Sequence, residues 1–270
     1  MTGCVTIAGA GPGEIDHITV AALRAIHSAD VILYDALIRP SLIAEFPQHA
    51  ETIFVGKRCG SHAYTQTMIV AAMIQHALAG RHVVRLKGGD PAIFAHLASE
   101  ISALGALNIP YKLLPGVSAM QSAAAELGRP LTLRQSARHV WVTDGHAADL
   151  PLNAPQMAQF PGTLVFYMGA GRTAEISQLL LQHGLKNNMA AALIENAGCA
   201  EAKTQHGTVA DFAAAKFSRL TQGPGIFLIG AAIGLELYGS SEAAAEMAKG
   251  AKAFASKRPA ARHLQLPPVT

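Results

Sequence analysis

Residues 83–91 read VVRLKGGDP, an apolar, β-branched run that ends in a Gly-Gly-Asp-Pro turn. Val83–Leu86 has the length and composition of a buried strand. Lys87–Pro91 closes that strand with two glycines that expose the backbone, with Asp90 as a hydrogen-bond acceptor and with a proline that restricts the turn. Because open α/β sheets bind ligands at the carboxyl ends of their strands, the stretch indicates a ligand site there. By itself the pentapeptide fits a structural turn equally well.

Strand-like runs alternate with helical periodicity on both sides of this stretch. The first series predicts strands at Val5–Ala8, Val31–Tyr34, Val83–Leu86 and Tyr111–Leu114, and helices at Thr19–Ser28, Tyr64–Ala79 and Leu97–Leu107. The second series predicts strands at Val140–Thr143, Thr163–Tyr167, Ala190–Ile194 and Gly225–Ile229, and helices at Thr173–His183 and Ala210–Phe217. Such alternation is typical of largely parallel sheets covered by helices.

The fold class predicted is therefore α/β, with two α/β domains and a cleft between them. The expected N-terminal α/β domain spans residues 1–114, and a linker and cleft segment follows at residues 115–136. The expected C-terminal α/β domain spans residues 137–240, and a basic, flexible tail spans residues 241–270. Clefts between domains are common sites for small ligands.

Composition and charge exclude several classes of protein. Half of the 270 residues are hydrophobic and 14% are charged, as in a globular protein. The formal net charge of +3 comes entirely from the tail after residue 240, so the rest of the chain is a poor candidate for binding nucleic acid. No apolar run reaches the length of a membrane span, and the first residues lack the features of a signal peptide. The three cysteines are far apart, which favours a reducing compartment, and we expect a cytoplasmic protein.

Gly9–Gly13 follows the first predicted strand and reads GAGPG. A dinucleotide-binding loop needs a glycine at the sixth position, where this chain has Glu14, and Pro12 removes an amide donor. A nicotinamide enzyme is therefore disfavoured, whereas a tight strand-to-helix turn stays open. Ser118 and Ser122 lack the surroundings of a hydrolase nucleophile. The histidines show no metal-ligand spacing, so no metal is expected.

Taken together, the motifs of the chain resemble those of the tetrapyrrole methylases in order and approximate spacing. The resemblance covers roughly residues 3–235, and its Tyr-Asp, Gly-Lys-Arg and Leu-Lys-Gly-Gly-Asp-Pro elements are most similar to uroporphyrinogen-III C-methyltransferases. The matching segments are Gly9–Gly13, Tyr34-Asp35, Val55–Arg58, Val84–Pro91, Pro115–Val117, Pro130–Thr132, Val165–Gly169 and Ile194–Asn196.

The resemblance implies a two-domain α/β enzyme, usually a homodimer, that holds S-adenosylmethionine (SAM) in the cleft and releases S-adenosylhomocysteine. It implies transfer of two methyl groups to ring carbons of uroporphyrinogen III, giving precorrin-2 for sirohaem and cobalamin. By position, the SAM contacts would be Pro12, Gly88, Gly89, Asp90, Ile93, Ser118, Ala119, Met168 and Ala197.

The substrate of that reaction carries several carboxylates, so its site needs basic or hydrogen-bonding side chains. The resemblance places Arg58, His96 and Arg134 in substrate-binding positions. It points to Asp35 and Lys57 as the catalytic, proton-handling candidates, and which of them serves as the base is left open.

The chain departs from the family pattern mainly in its substrate half. His96-Leu97-Ala98-Ser99 stands where uroporphyrinogen-III methyltransferases usually have Arg-Gly-Gly-Glu, and Leu133 replaces a usual histidine. An imidazole cannot make the two parallel hydrogen bonds of a guanidinium. Two alternatives therefore stay open: a methyltransferase for another precorrin such as precorrin-4, and a SAM- or tetrapyrrole-binding protein with little turnover.

Overall fold

The computed structural model describes residues 2–56, 64–134, 136–234 and 248–251. The chain divides into two compact units, Met1–Ile233 and Gly234–Thr270. The first unit contains every strand and helix discussed below. In the second unit, residues 248–251 are helical. The predicted basic tail lies almost entirely outside the described residues.

The described part of residues 4–229 contains ten strands and eight helices. The strands are β1 (Cys4–Gly9), β2 (Val31–Tyr34), β3 (Glu51–Phe54), β4 (His82–Lys87), β5 (Tyr111–Leu114), β6 (His139–Asp144), β7 (Gly162–Tyr167), β8 (Ala190–Glu195), β9 (Lys203–Thr208) and β10 (Gly225–Ile229). The helices are α1 (Val20–His27), α2 (Pro40–Ile43), α3 (Gln66–Leu78), α4 (Leu97–Ala106), α5 (Ala119–Leu127), α6 (Leu150–Ala158), α7 (Thr173–Gln182) and α8 (Val209–Ala213).

The first sheet has the strand order β3-β2-β4-β1-β5, and every pairing in it is parallel. Successive residues of its central strands pack on opposite faces. Ile7 and Leu33 contribute to one core with α3 and α4, whereas Ile32 and Leu86 contribute to the other core with α1 and α2. Both faces are covered, which explains why these strands read as continuous apolar runs.

The second sheet has the order β6-β7-β10-β8-β9, and it is mixed rather than largely parallel. Only β6 and β7 pair in parallel, whereas β10 is antiparallel to both of its neighbours and β8 is antiparallel to β9. The prediction of a largely parallel sheet is therefore wrong here. Only residues 196–202 connect β8 to β9, and a connection of that length is too short for a parallel crossover. The α/β fold class itself is confirmed.

Residues 115–136, predicted as a linker and cleft segment, contain the regular helix α5. Ala123 of this helix packs against Val165 of β7 and Ala192 of β8. Helix α8 is shorter than the predicted Ala210–Phe217, because Ala215 adopts a left-handed conformation with φ of 53° and ends it. The predicted domain boundaries stay predictions. No helix in the described part of the chain has the length and hydropathy needed to cross a membrane.

Candidate active site

A cavity of about 500 Å³ lies where the two sheets present their loops to each other. On the first sheet it is lined by residues that follow the carboxyl ends of β1, β2, β4 and β5. On the second sheet it is lined by residues after β7 and β8 and by the first residues of β10, which runs antiparallel to them. The same edge of both sheets therefore forms the walls, as the rule for open α/β sheets predicts.

Two glycine turns form the first wall through direct backbone contact. Gly11 and Gly89 exchange hydrogen bonds, with the Gly89 amide donating over 2.8 Å and the Gly11 amide over 3.3 Å. Both have positive φ, 77° and 69°, which favours glycine. A Cβ on Gly9 would lie 2.6 Å from the Gly89 carbonyl oxygen, so the turns can approach only without side chains.

Asp90 holds the second turn to the loop after β5. Its Oδ1 accepts a hydrogen bond from the Ala92 amide at 2.8 Å, and its Oδ2 accepts one from the Gly116 amide at 3.0 Å. The sequence indicated that Asp90 could accept hydrogen bonds from a ligand amine or hydroxyl. In this structure each carboxylate oxygen already accepts a backbone amide, so Asp90 also positions the turn.

Tyr167 joins the end of β7 to the start of α5. Its hydroxyl is hydrogen-bonded to the Ser118 hydroxyl and accepts a hydrogen bond from the Met120 amide at 3.1 Å. Burial raises the pKa of Tyr167, as does the charge of Asp90, although the bonds from Ser118 and Met120 act in the opposite direction. The Ser118 amide donates to Gln121 Oε1 at 2.8 Å, which fixes the first turn of α5.

Left-handed backbone conformations are concentrated around the cavity. Phe94, His96, Met168 and Asn196 line it, and their φ angles lie between 49° and 55°. Non-glycine residues adopt this region at a cost of about 1–3 kcal/mol each, and such strain is concentrated at functional sites. Phe94 and Met168 are about half exposed, so they present apolar surface at this site.

Four charged side chains and an amide form a connected group at one side of the cavity. Glu100 of α4 is fully buried, and its Oε1 accepts hydrogen bonds from Lys87 Nζ at 2.7 Å and from Gln66 Nε2 at 3.2 Å. Arg85 Nε lies 3.5 Å from the same oxygen, and Arg85 Nη2 lies 3.7 Å from Asp35 Oδ2. Burial lowers the pKa of Lys87, and the nearby charge of Arg85 lowers it further. Lys87, Arg85, Gln66 and Asp35 all line the cavity.

The second wall depends on another buried carboxylate, Glu195 at the end of β8. It accepts hydrogen bonds from Arg219 Nε at 3.1 Å, from the Leu220 amide at 2.8 Å and from the Thr221 amide and hydroxyl at 3.3 Å. These bonds hold the segment before β10. Gly223 and Pro224 of that segment line the cavity, together with Gly225 and Ile226 at the start of β10.

Most of the site residues predicted from sequence lie together around this one cavity. The nine predicted SAM contacts all line it, namely Pro12, Gly88, Gly89, Asp90, Ile93, Ser118, Ala119, Met168 and Ala197. The catalytic candidate Asp35 and the substrate candidate His96 also line it. Arg134 is not among the lining residues. It is exposed, and its carbonyl accepts a hydrogen bond from Arg138 Nε at 2.6 Å. Lys57 and Arg58 lie outside the described residues.

Several lining residues were missed by sequence reasoning, notably Phe94, Tyr167 and Asn196. Phe94 lies in the chain between Ile93 and His96, two predicted site residues, so its position could have indicated that it lines the cavity. Tyr167 read as the last residue of a core strand, and nothing in the sequence reported its hydrogen bond to Ser118. In the described ranges, no group of three or more His, Cys, Asp and Glu side chains could hold a metal ion.

One wall of two glycine turns, a cluster of strained residues and a buried charged group define a small-molecule site in a two-sheet α/β protein. The tetrapyrrole (corrin/porphyrin) methylase family model matches residues 4–213. The chain belongs to this family.

The curated relatives include siroheme synthase 2 of Yersinia enterocolitica, which is 37% identical over 234 residues and is matched by 86% of this chain. The siroheme synthase of Edwardsiella ictaluri is 40% identical over 208 residues, or 77% of this chain. These matches cover 49% and 45% of the two relatives, so the chain spans about half the length of the curated relatives it matches.

The solved structures include uroporphyrin-III C-methyl transferase of Thermus thermophilus in complex with S-adenosylhomocysteine. It is 30% identical, has a TM-score of 0.73 and covers 86% of this chain and 99% of its own. A cobalt precorrin-4 methyltransferase is 25% identical, has a TM-score of 0.75 and covers 85% of this chain and 95% of its own.

Proposed function

We propose that the chain transfers methyl groups from SAM to two ring carbons of uroporphyrinogen III, giving precorrin-2 and S-adenosylhomocysteine. The single observation that carries the proposal is the convergence of all nine predicted SAM contacts on one cavity of about 500 Å³. The relative of known structure from Thermus thermophilus, which was solved with S-adenosylhomocysteine, supports the same donor.

The residues around the cavity suit a ligand that is partly apolar and partly polar. A Cβ built on Gly89 meets nothing within 4 Å, so that glycine leaves open space beside the exposed backbone of the turn. Ile93, Met168 and Ala197 provide apolar surface, whereas Ser118 and the glycine turns provide polar groups. SAM combines an apolar ring face with an amino-acid group and hydroxyls, so these residues fit it.

SAM supplies an activated methyl group, and the chain has to align that group with the attacking carbon and exclude water. The two glycine turns, fixed to each other and, through Asp90, to the loop after β5, hold one wall in place. Phe94 and Met168 supply exposed apolar surface at the site, against which the pyrrole rings of a tetrapyrrole can pack.

Methylation of a ring carbon requires loss of a proton, and Asp35 is the described residue best placed to accept it. Its carboxylate lines the cavity and is one-quarter exposed. Asp35 Oδ1 accepts the Leu37 amide at 3.0 Å, and Oδ2 lies 3.7 Å from Arg85 Nη2, so the carboxylate is held in one orientation. Lys57 remains the second proton-handling candidate.

Substrate carboxylates would be bound by His96 at the cavity and by Arg134 outside its lining, and Arg58 stays a further substrate-binding candidate. His96 is exposed and precedes α4. Arg134 belongs to an exposed turn between Leu133 and Ala137, which is accessible to a substrate larger than the cavity.

A second candidate is methylation of a later precorrin such as precorrin-4. His96 in place of the usual arginine favours it, and so does the likeness to cobalt precorrin-4 methyltransferase at a TM-score of 0.75. That enzyme class uses the same donor on a different macrocycle, so only the substrate half of the proposal changes.

The test is an anaerobic reaction of the purified protein with SAM and enzymatically generated uroporphyrinogen III, followed by mass spectrometry. A product heavier by two methyl groups is expected. Methylation of cobalt precorrin-4 instead would shift the assignment to the second candidate. Binding of S-adenosylhomocysteine without any methylated product would favour a binding protein and would contradict both enzymatic assignments.

We also propose that the protein works as a cytoplasmic homodimer and binds neither nucleic acid nor membrane. The neutral charge of residues 1–240 supports the absence of nucleic-acid binding. Light scattering coupled to size-exclusion chromatography should give twice the mass of 28.2 kDa, and the mass of one chain would contradict the homodimer.

A further inference from the structure

Arg39 lies where three segments around the cavity meet. It lines the cavity and precedes α2, and its carbonyl accepts the Leu42 and Ile43 amides. Its Nη2 lies 3.7 Å from Glu14 Oε1 on the segment after the first glycine turn. The same nitrogen donates a short hydrogen bond to Glu201 Oε1 on the segment after β8. One guanidinium therefore links two segments of the first wall to one of the second.

The backbones of the two walls are in direct contact beside this guanidinium. The Glu14 amide donates to the Gly198 carbonyl at 2.9 Å, and a Cβ on Gly13 would lie 1.9 Å from that oxygen. The segments that meet here also carry Pro12 and Ala197, which are predicted SAM contacts on opposite walls. A change in the contact between the Glu14 and Gly198 backbones would therefore alter the spacing between Pro12 and Ala197.

The environments of Arg39 and Glu201 favour the charged forms of both side chains. Burial acts to lower the pKa of Arg39, but its hydrogen bond to Glu201 and the nearby anionic groups raise it above its ordinary value. The pKa of Glu201 is lowered, chiefly by a backbone hydrogen bond and also by Arg39. Ser41 Oγ donates to Glu14 Oε2 at 2.8 Å, which fixes the second carboxylate.

We propose that Arg39 and Glu201 are positioning residues for the SAM site, because their ion pair holds the two walls at the spacing that SAM requires. The proposal rests on the proposed function. Neither side chain has to touch the transferred methyl group. They act through the segments that carry Pro12 and Ala197, so their loss should weaken SAM binding more than it slows methyl transfer.

The test measures S-adenosylhomocysteine binding by calorimetry and the SAM dependence of turnover for R39Q, E201Q and the double variant. Each single variant should raise the dissociation constant and KM about two- to fivefold, since exposed ion pairs contribute about that factor. The value of kcat should change less than about twofold. The double variant should match R39Q, because the bond between Arg39 and Glu201 is already lost in that single variant. R39K, which keeps the charge, should recover part of the affinity.

E51Q is the matched control. Glu51 pairs with Arg81 at 2.6 Å, and the side-chain exposures of that pair, 48% and 32%, are close to the 46% and 34% of Glu201 and Arg39. E51Q should bind S-adenosylhomocysteine as the parent protein does. If R39Q and E201Q also bind as the parent does, or if E51Q weakens binding equally, the positioning role is wrong while the proposed function stands. If the parent protein binds neither SAM nor its product, the proposed function fails and the positioning role fails with it.

Discussion

At the scale of single residues, Tyr167 shows how one hydroxyl serves the site. It bonds Ser118 and Met120 at the start of α5, and its ring lies 5.2 Å from that of Phe94. Ser118 is a predicted SAM contact, so Tyr167 couples the end of β7 to the position of that predicted contact.

We predict that Y167F lowers the free energy of unfolding by about 1–2 kcal/mol, because the Met120 amide loses its acceptor. Affinity for S-adenosylhomocysteine should fall together with stability. The pKa of Tyr167 is raised above 10, so its contribution is complete below pH 10 and is lost as the pH rises above that value. Denaturant unfolding at several pH values should show a constant difference below about pH 10 and a shrinking difference above it. Unchanged stability at neutral pH would contradict this role.

His96 and Ser99 form the second test at this scale. They replace the arginine and glutamate that uroporphyrinogen-III methyltransferases usually have, and Ser99 Oγ donates to the His96 carbonyl at 2.9 Å. The double variant H96R/S99E should raise kcat/KM for uroporphyrinogen III several-fold if the missing guanidinium limits substrate binding. The affinity for SAM should not change. An unaltered kcat/KM would mean that this segment does not limit the reaction.

Sequence motifs indicated many of the residues that meet at the cavity, but not how they contact one another. Asp90 was predicted as a SAM contact and lines the cavity, yet its bonds to the Ala92 and Gly116 amides depend on how two distant loops meet. Likewise, the left-handed conformations of Phe94 and Met168 leave no trace in composition, because both residues also occur in ordinary strands and cores.

At the scale of elements, Glu100 connects α4 to β4 and α3 through Lys87, Arg85 and Gln66. E100Q would leave two buried cations with a neutral partner, so we predict a loss of about 3 kcal/mol in unfolding free energy at pH 7. E175Q is the control, because Glu175 is exposed on α7, and it should change stability by less than about 0.5 kcal/mol.

The stability deficit of E100Q should change with pH in a defined direction. The pKa of Lys87 is lowered by burial and by Arg85, so at pH values between its folded pKa and 10.5 the unfolded chain binds a proton that the folded chain does not. Unfolding free energy therefore rises with pH in that window. Loss of the Glu100 charge should lower the pKa of Lys87 further, so the deficit of E100Q should shrink as the pH rises towards 10.5. A deficit that grows with pH would contradict this assignment of charges.

The strands that sequence reasoning missed have a common physical cause. β3 and β9 are edge strands with largely exposed side chains, and their sequences, ETIF and KTQHGT, lack a long apolar run. The buried strands such as β2 and β10 were predicted because both of their faces are apolar. Helix α6 was missed because Pro151 and Pro155 disrupt the usual helical signal.

At the scale of the whole molecule, the two sheets present the same edge to one cavity, although one sheet is parallel and the other is mixed. The alternation of elements predicted two α/β halves and the cleft. It did not predict the antiparallel strands, because their direction depends on connection length and not on apolar pattern. We propose that this cavity is the SAM site.

Calorimetric titration of S-adenosylhomocysteine into the parent protein, G89A and G128A tests that claim most directly. Gly89 and Gly128 have similar φ angles, 69° and 63°, and a Cβ on either meets nothing within 4 Å, but only Gly89 is among the residues that line the cavity. Backbone strain should lower the unfolding temperatures of both variants alike. We expect G128A to bind S-adenosylhomocysteine as the parent protein does. G89A should bind it about tenfold more weakly or worse, because the methyl group of the new alanine occupies ligand space. Equal binding by G89A and the parent protein, or no binding by the parent protein, would contradict that claim.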